Sequence, residues 1–277
     1  MELIYISPNN KTLKLTNNAD FYITADGLTS ADIDITDTDD YYSDGSVVNN
    51  THALPRPINL YLEIKQGRNV EQAKRNITAV VKPKQKGTLR WTHEGRTVEI
   101  SGTVQTIQMP RFEKAVVMQI SLYCNQPYWQ DAEYIIKQIS EIEPRHRFKL
   151  AFPAKKGIVF GVYNKNMSKE FENAGDSAVG CIINIVATAE ITNPLLQRSD
   201  GTYFGFKNLT MAANDEIIIN TTKGEKTVTK NGVDIFENII DGVTWFQIEP
   251  GQNIFTISEE GGTGNMYFNF KYKQKYI

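Results

Sequence analysis

Alternation with a period of two residues restricts this chain more than any other feature. In Pro57–Ile64, "PINLYLEI", Ile58, Leu60, Leu62 and Ile64 fall on one side, and Asn59, Tyr61 and Glu63 fall on the other. Successive side chains of a strand point to opposite faces of the sheet, so this pattern describes a strand with one face in a core. "RTVEISGTVQTI" repeats it through Val98, Ile100, Gly102 and Val104, and "KAVVMQISLYC" through Met118, Ile120, Leu122 and Cys124. Near the other end, "NMYFNFKYKQKYI" sets Met266, Phe268, Phe270 and Tyr272 against Tyr267, Asn269, Lys271 and Lys273. One segment breaks the rule. Asn69 stands where a helix cap belongs, Gln72 follows three residues on, and Val70, Ala73, Ile77 and Val80 or Val81 form a stripe at helical spacing. That helix has to stop before Pro83, which cannot extend it.

The 277 residues suffice for two domains with separate cores. The first half reads as α+β with most of its residues in strands. Residues 125–155 read as a connection: "YIIKQISEI" fits a short helix or a strand, and "EPRHRFKLAFPAKKG" is rich in proline and charge. In the second half a long apolar run, "CIINIVATAEI", ends at Asn193-Pro194. Further on, Lys223-Gly224, Asn231-Gly232 and Pro250-Gly251 mark tight turns between β-rich segments. The fold expected is mainly β with one or two helices. An N-terminal α+β domain spans 1–135, a linker spans 136–154, and a C-terminal β-sandwich spans 155–277.

The formal net charge of −2 gives no global reason for binding nucleic acid, and no apolar run reaches the roughly 18 residues of a membrane helix. "MELIYISPNN" has neither the basic start nor the apolar stretch of a secretion signal. Cys124 and Cys181 lie in apolar alternating runs at no metal-like spacing, as reduced buried thiols of an intracellular protein would, with a single disulfide as the lesser alternative. Charge is unevenly spread. Between Lys14 and Arg56 there are eight aspartates and no Lys or Arg, whereas Arg56–Leu150 carries 16 Lys/Arg against 9 Asp/Glu, an excess of +7. This describes either a solvated acidic loop beside a solvated basic face, or two complementary surfaces that meet when copies pack head to tail.

No hydrolase, zinc-protease, paired-cysteine or phosphate-loop motif is present, and His52, His93 and His146 stand apart. "DIDITDTDDYYSDG" lacks the glycine and terminal glutamate that a calcium loop requires. "EEGGTGNMYF" opens no helix and so makes no phosphate cradle. Lys82, Lys84, Lys86 and Arg90 make a basic turn without the wider stripe that a phosphate backbone requires. Tyr203, Phe204, Trp245 and Tyr267 are candidates for a sugar-stacking platform, with core packing as the ordinary alternative. No catalytic, cofactor-binding or metal-ligating residue is assigned, and the chain is expected not to be an enzyme. A sandwich glycosidase needs two carboxylates placed across a cleft, which no motif here indicates.

In order, the chain shows "SDGS" at 43–46, Arg56 leading into "PINLYLEI", "KRNITAVVKPKQKGTLRW", "GRTVEISGTV", "SLYCNQPYW", and later "EPGQNIFTI" before an alternating final strand. In that order and spacing it resembles the distal tail protein family of long-tailed bacteriophages and prophages of Gram-positive hosts. The resemblance implies a first domain that closes a ring, usually of six copies, at the end of the tail tube. It also implies a second domain similar to galectins or carbohydrate-binding modules that projects outward. The implied partners are further copies of the chain, the tail tube protein and the tail-tip hub protein, around a channel for tape-measure protein and DNA. The implied location is the virion tail tip, assembled in the host cytoplasm, with no membrane and no sequence-specific nucleic acid as partner. The alternative is an adhesin whose sandwich contacts host cell-wall carbohydrate; the resemblance transfers no sugar-binding residue. The acidic segment after "ADGLTS" is longer than the family pattern. In "SLYCNQPYWQDAE", Pro127 is expected to end the last strand of the first domain, with Tyr128 and Trp129 buried at the seam before the second.

Overall fold

The computed structural model describes residues 2–18, 20–29, 31–40, 42, 44–109, 116–139, 142–144, 161–163, 168–260 and 265–277. They form two compact units, Met1–Ala132 together with Lys275–Ile277, and Glu133–Gln274. The first unit is therefore discontinuous in sequence, and its last piece is the final three residues of the chain.

The first unit is built on one antiparallel sheet in which Thr12–Lys14, Glu2–Ile6, Lys86–His93, Arg96–Gln108, Val116–Cys124, Arg56–Ile64 and Phe21–Asp26 lie side by side in that order. Arg96–Gln108 is the shared strand. It pairs with Lys86–His93 along one edge, and on the other with Trp129–Asp131 near its start and Val116–Cys124 near its end. Its register shifts between Val104 and Thr106, which is the sign of a bulge. The alternating residues read from the sequence all turn inward: Ile58, Leu60, Leu62, Ile64, Val98, Ile100, Val104, Met118, Ile120, Leu122 and Cys124 are buried. Glu94 and Gly95 join two of these strands, both with positive φ (48° and 80°), as a two-residue hairpin turn of primed type requires.

The helix spans Val70–Thr78, and Asn69 caps it by accepting the Gln72 N–H at 3.1 Å. Gln72 does not complete a capping box; its side chain donates to Asn76 instead. Ala73 and Ile77 lie in the buried stripe, and Val81 continues it past the helix end, before Pro83.

The acidic segment, expected as a loop, is a β-hairpin. Ile33–Asp39 pairs with Ser46–Ala53, with a register shift between Thr36 and Asp37. Aspartates alternate with β-branched residues there ("DITDTD"), and such residues favour strand whatever the charge.

The second unit is a β-sandwich. One sheet contains Ile135–Ile139, Met266–Tyr272, Ile182–Ala187, Glu216–Asn220, Thr227–Lys230 and Val233–Asp234; the other contains Ser168–Asn173, Gly251–Glu260, Ile191–Arg198 and Tyr203–Gly205, with Thr210–Met211 beside Ile191–Arg198. Phe171 and Phe255 from the second sheet meet Phe270 from the first, with ring centroids 5.3 and 4.8 Å apart. Asn231-Gly232 forms a turn with φ of 50° and 81°, and Gly251 has a φ of 86°, as the second central residue of a type II turn does. Asn253, itself buried, clamps that turn by accepting from the Glu249 N–H and donating to the Glu249 and Gly251 carbonyls. Asn193-Pro194 does not end a strand. Ile191–Arg198 runs through it, bulging between Thr192 and Leu195, and a bulge leaves proline no ladder bond to break. Of the segment "YIIKQISEI", Ile135–Ile139 is strand, with Ile139 in the sandwich core. Among the described residues, the only other helical segment is a single 3-10 turn, Phe236–Asn238.

Candidate functional site

The hairpin is the most unusual surface of the first unit. Every described residue from Ile33 to Thr38 and from Ser46 to His52 is exposed, including Ile33 (59%), Ile35 (58%), Val47 (60%) and Val48 (56%). A two-stranded hairpin with neither face covered is marginal by itself in water. Its own side chains brace it: Ser46 Oγ donates to Asp37, and Asn49 Nδ2 to Thr38 Oγ1 at 2.6 Å. The surface combines four exposed aliphatic residues with Asp34, Asp37 and Asp39.

The root of the hairpin is built very differently. The ladder between Phe21–Asp26 and Arg56–Ile64 ends at the pair Asp26–Asn59, and pairing resumes only at Ile33–Ala53, preceded by a bond from Leu54 N–H to Asp32 O at 2.8 Å. Gly27 stands in the gap with φ +82°, so close to the opposite chain that a Cβ would lie 2.2 Å from Pro57 O. The next carbonyl, that of Leu28, accepts two side-chain bonds: Arg56 Nη1 at 3.1 Å and Trp129 Nε1 at 2.8 Å. Arg56 and Trp129 are each only 1% exposed. Among the described residues, Arg56 Nε and Nη2 are buried without a hydrogen-bond partner. Trp129 therefore sits in the core of the first unit, tilted against Trp91 at 5.5 Å, while Tyr128 is half-buried.

Cys124 is the cross-strand partner of Arg56. Burial pushes its thiol up to about 11, although the Arg56 charge pulls the other way. Burial also pushes Cys181 up to about 12, against the opposing bond from Thr221. Both are free thiols that stay protonated near neutrality and so are poor nucleophiles.

The structure brings few of the other sequence candidates together. His52 lies on the hairpin, 3.8 Å from Asp34, and His93 stacks on Trp91; His146 lies outside the described residues. Among the described residues no group of His, Cys, Asp and Glu could hold a metal. Lys82 to Lys86 form a turn in which Lys84 takes a positive φ, and Arg90 is bound to Glu99. The glycine cluster at 261–264 lies outside the described residues. The four aromatic candidates do not form one platform: Phe204 is core, edge-on to Trp245, while Tyr267 lies on a strand of the other sheet. Phe236, which carried no sequence signal, is 58% exposed and stacks on Trp245 at 6.2 Å.

Residues 174–276 match the family model described as siphovirus-type tail component, C-terminal domain. That match falls almost wholly in the second unit and covers most of it. Over 99% of both chains, the structure is similar to that of the SPP1 Dit protein, described as a paradigm of the hub adsorption apparatus in phages that infect Gram-positive bacteria, with a TM-score of 0.67 at 12% identity. The protein thus shares the fold of that Dit protein along nearly its whole length. A looser likeness, with a TM-score of 0.48 at 12% identity over 98% of this chain and 97% of the other, is to the phage p2 baseplate in its activated conformation with strontium. No curated protein matches the sequence.

Proposed function

We propose that the protein is a structural component of a phage tail, without catalysis, that forms a ring at the distal end of the tail tube and joins the tube to tail-tip proteins. The ring is expected to have six copies. The observation that carries this reading is the exposed hairpin. It holds apolar and acidic side chains away from its own core, in a chain whose next hundred residues carry a basic excess. A surface of that kind is covered by a neighbour when copies pack head to tail, and such contacts close into rings. The family match and the shared fold support the same location, the virion tail tip. The test is the mass of the full-length protein in solution, alone and mixed with the tube and tip proteins encoded beside it. A closed oligomer is expected; a protein that stays monomeric with both partners would overturn the reading.

A second reading, an adhesin for host cell-wall carbohydrate, draws on Phe236, whose exposed ring stacks on Trp245 in the second unit. Cosedimentation of the protein with purified host walls, lost in Phe236→Ala, would support it. Equal cosedimentation of wild type and variant would remove it.

A further inference from the structure

We propose that Arg56 and Trp129 act together as a buried pin that sets the direction in which the acidic hairpin leaves the core. The pin is a positioning device for assembly; it touches no partner itself.

Three observations converge on it. The hairpin is an extension of the sheet's own edge, but its ladder is interrupted between Asp26–Asn59 and Ile33–Ala53. Across such a break the backbone has no regular bonds to keep the two halves in line. At that break, two side chains from distant parts of the sequence both donate to Leu28 O, across 28 residues for Arg56 and 101 for Trp129. Finally, the arginine is costly where it stands. Among the described residues, two of its nitrogens are buried without partners, and burial lowers the pKa of the guanidinium. Removing a charge from water without full compensation opposes folding, so an apolar side chain of similar length would serve the core better. What the arginine adds is direction: a planar donor aimed at one carbonyl at the root of a lever. Trp129 adds a second donor to the same atom, from the strand whose other edge holds Tyr276.

The inference rests on the ring reading for its purpose but not for its geometry, and the experiment separates the two. Full-length wild type, Arg56→Met, Trp129→Phe and, as a surface control, Arg90→Met are compared. Each carries spin labels at Thr51→Cys on the hairpin and Glu71→Cys at the helix start. The native thiols are both buried, so labelling goes to the introduced ones. In dilute protein the label-to-label distance distribution should be narrow for wild type and the control, and broadened for Arg56→Met and Trp129→Phe. The melting temperature of Arg56→Met should be no lower than that of wild type, an outcome that a merely structural role would not give. Loss of one aligned bond should raise the concentration for half-assembly roughly tenfold. An unchanged distance distribution in Arg56→Met overturns the pin, whatever happens to assembly. Should Arg56→Met fail to fold, Trp129→Phe, which keeps an aromatic ring in the core but removes the indole N–H donor and part of its bulk, decides the question by the same distribution. A wild type that never assembles overturns the ring reading, while the distances still read the pin.

Discussion

Trp129 illustrates how a side chain and its setting decide an energy together. Its indole is buried against Trp91 and its N–H is matched to a carbonyl, so Trp129→Ala should remove both terms and cost about 3–5 kcal/mol, read by denaturant unfolding of the first unit. Two carboxylates of the second unit are held below their ordinary range. Asp215 is held at about 2, first by Lys230 and then by Asn231 and the Ala212 N–H, and Asp200 is held below the ordinary range first by Arg198 and then by Thr202. A depressed carboxyl stabilises the fold above its unfolded pKa of roughly 4, and that contribution is lost as pH falls through the folded value. The second unit should therefore weaken between about pH 4 and pH 2. Asp215→Asn should flatten that limb in acid titration followed by circular dichroism. The Asp215 pairing was not legible in the sequence. Lys230 and Asp215 are fifteen positions apart and meet because Glu216–Asn220 and Thr227–Lys230 pair in one register.

Elements were more legible, wherever local chemistry decided them. The helix and its cap follow from spacing and from an asparagine whose oxygen reaches Gln72 N–H, so Asn69→Ala should cost about 1 kcal/mol by thermal melting. The hairpin was harder to see. Its aspartates suggest a solvated loop, while its alternating isoleucine, threonine and valine residues favour strand even where neither face is buried. Because the hairpin lies outside the core, replacing Ile33–Ala53 with a short glycine linker should leave the melting temperature nearly unchanged. The same change should abolish assembly in sedimentation, and equal assembly would remove the hairpin from the interface. Asn193-Pro194 misled for a related reason: proline argues against a strand only where its missing N–H would have paired, and the bulge removes that need.

For the whole molecule, the decisive feature is the return of the chain end. Trp129–Asp131 pairs with Lys275–Tyr276, the Tyr276 hydroxyl donates to Asp131 at 3.0 Å, and Arg96 lies over the Tyr276 ring at 4.3 Å. Removing Lys275–Ile277 should therefore lower the melting transition of the first unit and spare that of the second. Calorimetry of the truncated chain tests this, and the opposite pattern would contradict the assignment of these residues. The period-two alternation by itself determined that the chain is built from strands, which of their faces are buried, and where tight turns fall, because those depend on neighbours two to four residues away. Only the tertiary structure decided that the last residues belong with the first unit, that the acidic segment stands free as a hairpin, and that Arg56 and Trp129 meet on Leu28. The first and last of these depend on contacts between residues tens to more than a hundred positions apart. Such contacts follow from strand order and register across the sheet, which local patterning leaves open.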